Sequence, residues 1–245
     1  MKPRNGWKQG ILDGSYAEER KFRKPLICRY RYRAYMVFQM VKSLFPSNKK
    51  LTFLDLGAAD GKTLLALRDY IPSGDYTGVE YSAALIRCTP ELPGNVRIIQ
   101  ADIEDLPSEV RDCKYDVITA LAVLEHLDDP AEAVSRIRDM LTVNGFFIAT
   151  CPAPVWDHMA QRSCLLEGDH HTHAFNRANL IRLFQENGYD VVKYERFMLA
   201  VIGFLPYIGI PVSQKLCFQT DKIVRFFRIF NGLFVNQCII AARKS

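Results

Sequence analysis

Apolar and polar residues along this chain repeat with two periods, and the switches between them mark alternating strands and helices. Short, nearly unbroken apolar runs stand at 51–56, 76–80, 96–100, 115–120 and 145–150, the pattern of strands covered on both faces. Helical spacing occupies 31–45, 62–70, 82–88 and 130–142. Asp129 and Pro130 form a cap and first-turn pair for the last of these, and Asn144-Gly145 reads as its stop. A further helix, Arg177–Asn187, begins after Asn176 and ends at Gly188; strands follow at 189–197 and 233–242. Strand and helix in alternation predict an α/β chain with a doubly wound, mostly parallel sheet.

Within that frame the segment Leu51–Gly61, LTFLDLGAADG, carries the first chemical signal. A buried strand ends in the acid Asp55 and then in small residues, so the chain turns sharply into the helix from Lys62 and leaves room for a ligand against its backbone. Glu80 closes the next strand, where a carboxylate can accept both hydroxyls of a ribose. The dinucleotide fingerprint G-x-G-x-x-G is not met, because Ala59 and Lys62 occupy its second and third positions, so phosphate cradling is the weaker reading.

Four segments in order, FLDLGAADG at 53–61, GVEYS at 78–82, ADIEDLP at 101–107 and YDVITALAVLEHLDDP at 115–130, resemble the class I S-adenosylmethionine-dependent methyltransferases, in particular the small-molecule group that includes the quinone-biosynthesis enzymes. The resemblance implies S-adenosylmethionine as cofactor. It sets Asp55, Gly57, Ala59 and Gly61 against the methionine portion, Glu80 with Tyr81 on the ribose, Asp102 with Ile103 around the adenine, and Leu121 after the fourth strand in the same pocket. The family's usual middle glycine is here Ala59. It further implies a seven-stranded Rossmann-like sheet whose last two strands form an antiparallel hairpin, here parted by an apolar insertion.

Length and composition fit one domain, 1–245, divided into a basic N-terminal arm and helix (1–45), a cofactor-binding core (46–197), an insertion or lid (198–232) and a last strand (233–245). Seven cysteines, an odd number without a C-x-x-C pair, propose neither a disulfide framework nor a thiolate zinc site. They fit a reducing cytoplasm, and the first residues lack the apolar core of an export signal. Charge is unevenly placed. Residues 1–50 hold 13 Lys and Arg against 3 Asp and Glu, 51–196 hold 13 against 23, and 197–245 hold 6 against 1. Basic ends around an acidic core indicate an anionic partner or merely solvated helix faces.

Methyl transfer from a sulfonium needs an acceptor held in line and, for a hydroxyl acceptor, a base. His171 is the first candidate, with His126 and His173 next; the resembling family places histidines both in EHL and in H-x-x-x-F, matched by His126 and by His171 to Phe175. A metal on His171 and His173 with Asp169 or Asp157 is conceivable, but neighbours in an extended segment diverge, so no metal is expected. No [DN]-P-P-[YFW] segment follows the fourth strand, which disfavours methylation of base amines, and Cys151 reads as packing. The arm's Arg29, Arg31 and Arg33, interleaved with Tyr30 and Tyr32, could grip RNA, yet they better match a leading helix over the cofactor, one of them meeting its carboxylate.

The expected acceptor is therefore a small or lipid-linked molecule methylated at oxygen. A protein or RNA methyltransferase, or a cofactor-binding module without catalysis, is the alternative. Phe197–Val212 is uncharged but broken by Gly203, Pro206, Gly209 and Pro211, too interrupted to span a bilayer. Thr220–Phe230 reads as a helix setting Lys222, Arg225 and Arg228 against Ile223, Phe226, Phe227 and Phe230. Residues 198–232 thus form a lid, a dimer contact or a peripheral contact with the inner face of an anionic membrane.

Overall fold

The computed structural model describes residues 14–156, 158 and 172–244, and only the backbone of Arg228 and Ile229. Seven strands form one sheet: β1 (Thr52–Leu56), β2 (Asp75–Glu80), β3 (Val96–Gln100), β4 (Tyr115–Leu121), β5 (Leu141–Pro152), β6 (Tyr189–Leu199) and β7 (Phe234–Arg243). Their order is β3-β2-β1-β4-β5-β7-β6. Pairings from β3 to β5 are parallel, and β7 runs against both β5 and β6. The expected terminal hairpin is present, and strand order reverses between β1 and β4, where such sheets open a crevice at their carboxyl ends.

The period of two along each strand divides the core. Phe53, Val117, Ile148 and Ile240 face one side, under α2 (Lys24–Leu44) and α3 (Lys62–Tyr70); Leu54, Ile118, Phe147 and Ile239 face the other, under α6 (Pro130–Arg138) and α7 (Arg177–Glu186). Each such buried side chain contributes roughly 1.5–3 kcal/mol relative to exposure, so both layers are held by the alternation itself. Two short helices complete the cofactor half, α4 (Ala83–Arg87), capped by Ser82, and α5 (Ser108–Arg111).

Some sequence expectations need correction. The N-terminal helix begins not at 31 but at Lys24, with Pro25 in its first turn, and a separate α1 (Gly14–Phe22) precedes it. Asp129 caps α6 as expected, accepting from Glu132 N at 2.9 Å. That helix ends at Arg138, however, and Asn144-Gly145 is not its stop. Both residues lie inside β5, whose pairing with β4 shifts between Tyr115 and Val117, and a Cβ on Gly145 would meet the Tyr115 carbonyl at 2.9 Å. The same dipeptide that ends helices also accommodates a bulge.

The insertion is helical. It comprises α8 (Ala200–Phe204), a 3₁₀ turn (Leu205–Ile208), α9 (Gln214–Phe226) and a second 3₁₀ turn (Arg228–Leu233). Helix α9 starts six residues before the expected Thr220, because Ser213 caps it by accepting from Leu216 N at 3.2 Å. Asp221, expected near its start, lies mid-helix and fully buried. Its carboxylate accepts from Met198 N (2.6 Å), Leu199 N (3.0 Å) and the Tyr32 hydroxyl (2.5 Å), and burial pushes its pKa up against these three donors. Arg225 also turns inward, 2.8 Å from the buried Glu195 carboxylate, so it does not join Lys222 on an outer basic stripe.

Candidate active site

The cofactor turn is built by backbone geometry. Gly57 N and Ala58 N both donate to the Val79 carbonyl, at 2.8 and 2.9 Å, which folds the chain after β1 onto the end of β2. Gly57 and Gly61 have φ of 74°, and Ala59 takes φ 51° without glycine's freedom. A Cβ on Gly57 would stand 2.5 Å from Val123 Cγ2, and one on Gly61 2.8 Å from Ile98 Cδ1. The two glycines thus let the turn pack directly against Val123 and Ile98, where any side chain would collide.

Two acids support this turn from beneath. Asp55, almost wholly buried, accepts from the Thr119 hydroxyl at 2.6 Å, yet burial pushes its pKa up to about 6. Glu80 accepts from Ala59 N (2.8 Å) and Ser82 N (2.7 Å), one through each carboxylate oxygen. Burial raises its pKa and these donors oppose the rise. Each oxygen retains a lone pair, so Glu80 both braces the turn and remains an acceptor. Tyr81 beside it is 47% exposed.

Asp102 and Ile103 stand after β3. The Asp102 carboxylate accepts from Glu104 N at 3.0 Å in a turn closed by an Asp102–Asp105 bridge, and Ile103 packs on the α6 side of the sheet. Leu121, ending β4, packs with the α2 layer. The structure therefore gathers Asp55, Gly57, Ala59, Gly61, Glu80, Tyr81, Asp102, Ile103 and Leu121 at the carboxyl ends of four adjacent strands.

Helix α1 closes over this turn through a pairing that sequence reading missed. Arg20 lies 2.7 Å from the fully buried Asp60, donates to the Thr63 hydroxyl at 3.0 Å, and stacks over Tyr16 and Tyr30. Lys62 holds the other Asp60 oxygen at 2.7 Å. Of the arginines expected over the cofactor, Arg29 donates to the Tyr207 hydroxyl at 2.9 Å and Arg31 faces solvent. Arg33 is half-buried, its pKa lowered by burial and by Arg29 while Glu125 opposes the shift.

Two of the three candidate histidines lie on segments joined by backbone hydrogen bonds. His126 ends the 3₁₀ turn after β4 (Leu124–His126), and the Glu125 carbonyl accepts from both Thr172 N (2.9 Å) and His173 N (3.1 Å). Residues 47 positions apart in sequence are thereby pinned side by side. Gln237 of β7 fixes the same segment, donating to the Phe175 carbonyl at 2.5 Å and the Pro152 carbonyl at 3.0 Å. His171, with Asp157, Asp169 and His170 of the metal arrangement, lies outside the described residues, among which no metal-holding cluster occurs. Cys151 is buried beside Glu125, and burial first, then that carboxylate, pushes its thiol well above the usual range, so it stays protonated and unreactive.

A seven-stranded sheet with only β7 reversed, and an acid-flanked glycine turn at the strand-order switch, define a class I S-adenosylmethionine-dependent methyltransferase. A family model described as Methyltransferase domain matches residues 29–194, and the chain belongs to that family. The chain is similar to the malonyl-[acyl-carrier protein] O-methyltransferase of Halalkalibacterium halodurans, 31% identical over 105 residues that cover 41% of this chain and 39% of that protein. It spans well under half the length of the curated relatives it matches. A chain of the Haloferax volcanii complex with the Trm112 methyltransferase activator superposes with TM-score 0.66 at 17% identity, covering 96% of this chain and all of that one. The plantazolicin methyltransferase BpumL, solved with SAH, superposes with TM-score 0.62 at 16% identity over 95% of this chain and 89% of that one. The cofactor is S-adenosylmethionine.

Proposed function

We propose that this methyltransferase acts on the oxygen of a small or lipid-linked acceptor, with His171, His126 or His173 as base. The observation that carries the reading is the Glu125 carbonyl, whose two backbone donors bring the His173 segment against His126 at the end of β4. Bound S-adenosylmethionine would supply a sulfonium methyl for the acceptor oxygen, with its demethylated thioether as leaving group. The acceptor's proton passes to a neutral imidazole nitrogen, for which a histidine is suited near pH 7. Gly57, Ala59 and Gly61 would let the methionine portion rest on backbone, Asp55 would meet its ammonium, Glu80 would accept from the ribose hydroxyls with Tyr81 alongside, and Asp102, Ile103 and Leu121 would border the adenine. The likeness to an O-methyltransferase of malonyl-[acyl-carrier protein] supports an oxygen acceptor.

The reading is tested by calorimetry with S-adenosylmethionine and its demethylated product, then by tritium transfer from labelled cofactor into a lipid extract, a pool of small acids and alcohols, and total RNA. Label in base-stable ether or base-labile ester in the first two pools is the expected result. Label confined to RNA, or cofactor binding without any transfer, refutes it.

A further inference from the structure

Helix α9 turns Cys217 and Phe218 into the α2 layer and, beside them, a charged pair of its own, yet leaves an apolar stripe outside. Asp221 and Arg225 face the protein, where they hold Tyr32, the Met198–Leu199 backbone and Glu195, while Leu216, Ile223, Phe226 and Phe227 face out. Those four positions are seven, three and one residues apart and share one stripe. Phe226 is 81% exposed and Ile223 62%. Helix α8 and the turn after it add Phe204 and Ile208, 56% and 61% exposed, and α8 and α9 both pack on α2 and β6. An apolar surface of this extent on a soluble face marks a contact site.

The charges around it select the occupant. Lys215 and Lys222 are exposed directly beside Leu216 and Ile223, and Lys24 reaches the Gly209 carbonyl at 3.4 Å. The one acid of residues 197–245 is Asp221, which is buried, so the insertion's outer face carries no carboxylate. A second copy docked face to face would oppose lysine to lysine, whereas an anionic surface would be neutralised. We infer that the outer face of α8 and α9 docks on an anionic lipid leaflet, its aromatic side chains in the headgroup region and its lysines on lipid phosphates. Strand β6 runs parallel to β1, so its carboxyl end, which leads into this face, lies on the same end of the sheet as the cofactor turn. Docking brings the site to the bilayer. The inference rests on the packing of the insertion and not on methyl transfer, so either can fail alone.

The test is flotation of the full chain with phosphatidylcholine vesicles, with and without phosphatidylglycerol, at low and high salt. Binding to the anionic vesicles alone, weakened by salt, is expected. In the paired variant Phe226→Ser with Phe227→Ser the partition coefficient falls at least tenfold while the thermal midpoint holds. Lys215→Gln and Lys222→Gln each lower it about fivefold. No flotation, binding indifferent to phosphatidylglycerol and salt, or a concentration-dependent dimer in light scattering that the phenylalanine variant abolishes would each overturn the inference, the last assigning the face to a second copy.

Discussion

Asp55 offers the sharpest test, because its stability effect and its proposed ligand role have opposite signs. Its pKa lies at about 6 in the folded chain against 3.8 in the unfolded one. The folded state therefore holds the proton more tightly, and stability from this group is fully present below 3.8 and lost as pH rises through about 6. The shift corresponds to about 3 kcal/mol lost by pH 8, of which about 2–3 kcal/mol disappears between pH 4 and pH 8. Asp55→Asn keeps an oxygen for the Thr119 hydroxyl and cannot ionise. Urea unfolding of variant and parent at both pH values isolates the effect, since any unpaired amide hydrogen of the asparagine costs the same at each. The variant should gain about 2–3 kcal/mol relative to the parent on going from pH 4 to pH 8, while losing affinity for S-adenosylmethionine. The parent's dissociation constant should rise about tenfold per pH unit below 6, as the carboxylate facing the cofactor ammonium is neutralised. An unchanged stability difference at the two pH values, or cofactor affinity flat from pH 5 to 7, would refute the reasoning.

The remaining expectations concern the turn, the base and the insertion. Gly61→Ala, at φ 74° and with Ile98 2.8 Å from the new Cβ, should lower stability by about 1–3 kcal/mol and cofactor affinity by tenfold or more, read by thermal melts and calorimetry. Ala59→Gly, relieving a φ of 51°, should instead raise the melting midpoint, by up to about 1 kcal/mol of stability. His126→Ala and His173→Ala should be compared in labelled transfer across pH 5.5–8.5; the variant lacking the base loses about a hundredfold in kcat together with the acidic limb of its profile, while the other keeps that limb. Asp221→Ala strands two backbone N–H groups and the Tyr32 hydroxyl, so urea unfolding should show a loss of about 2–4 kcal/mol, and limited proteolysis should cut first in 198–232.

What was legible in the sequence was local. Strands β1 and β4 announce themselves because burial on both faces demands apolar runs, and the cofactor turn because its glycines and acids fall within a few residues of strand ends. Chemistry that depends on partners far along the chain was hidden. Nothing near Arg20 foretells Asp60, forty positions on, and Arg29, Arg31 and Arg33 drew attention only because they alternate with tyrosines. Asn236 and Gln237 are buried polar neighbours in a mostly apolar strand; that anomaly is the available signal for the role of Gln237 in fixing the segment at Phe175. At Asn144-Gly145 the ambiguity is physical, since the pair that suits a helix stop also suits a strand where the Tyr115 carbonyl leaves no room for a Cβ.

Helix α9 shows why amphipathic spacing alone misleads. Periodicity identifies two faces but not which one meets the protein. Turning α9 by half a revolution would bury Ile223, Phe226 and Phe227 at roughly 1.5–3 kcal/mol each, and would release Asp221 and Arg225 to water. The observed orientation forgoes that burial and relies on Cys217 and Phe218 against the α2 layer, three donors to Asp221 and the Arg225–Glu195 pair. Those contacts recover the desolvation of the charges without replacing the apolar term. Such an arrangement is favoured when the outward phenylalanines are covered by something other than this chain. Phe226→Gln therefore separates the possibilities: a residue that supports the fold would cost 3 kcal/mol or more on truncation, as core phenylalanines do. We expect a change within about 0.5 kcal/mol in urea unfolding of the free protein, as for surface positions, and a larger loss in the same variant would mean that α9 packs by its apolar face after all.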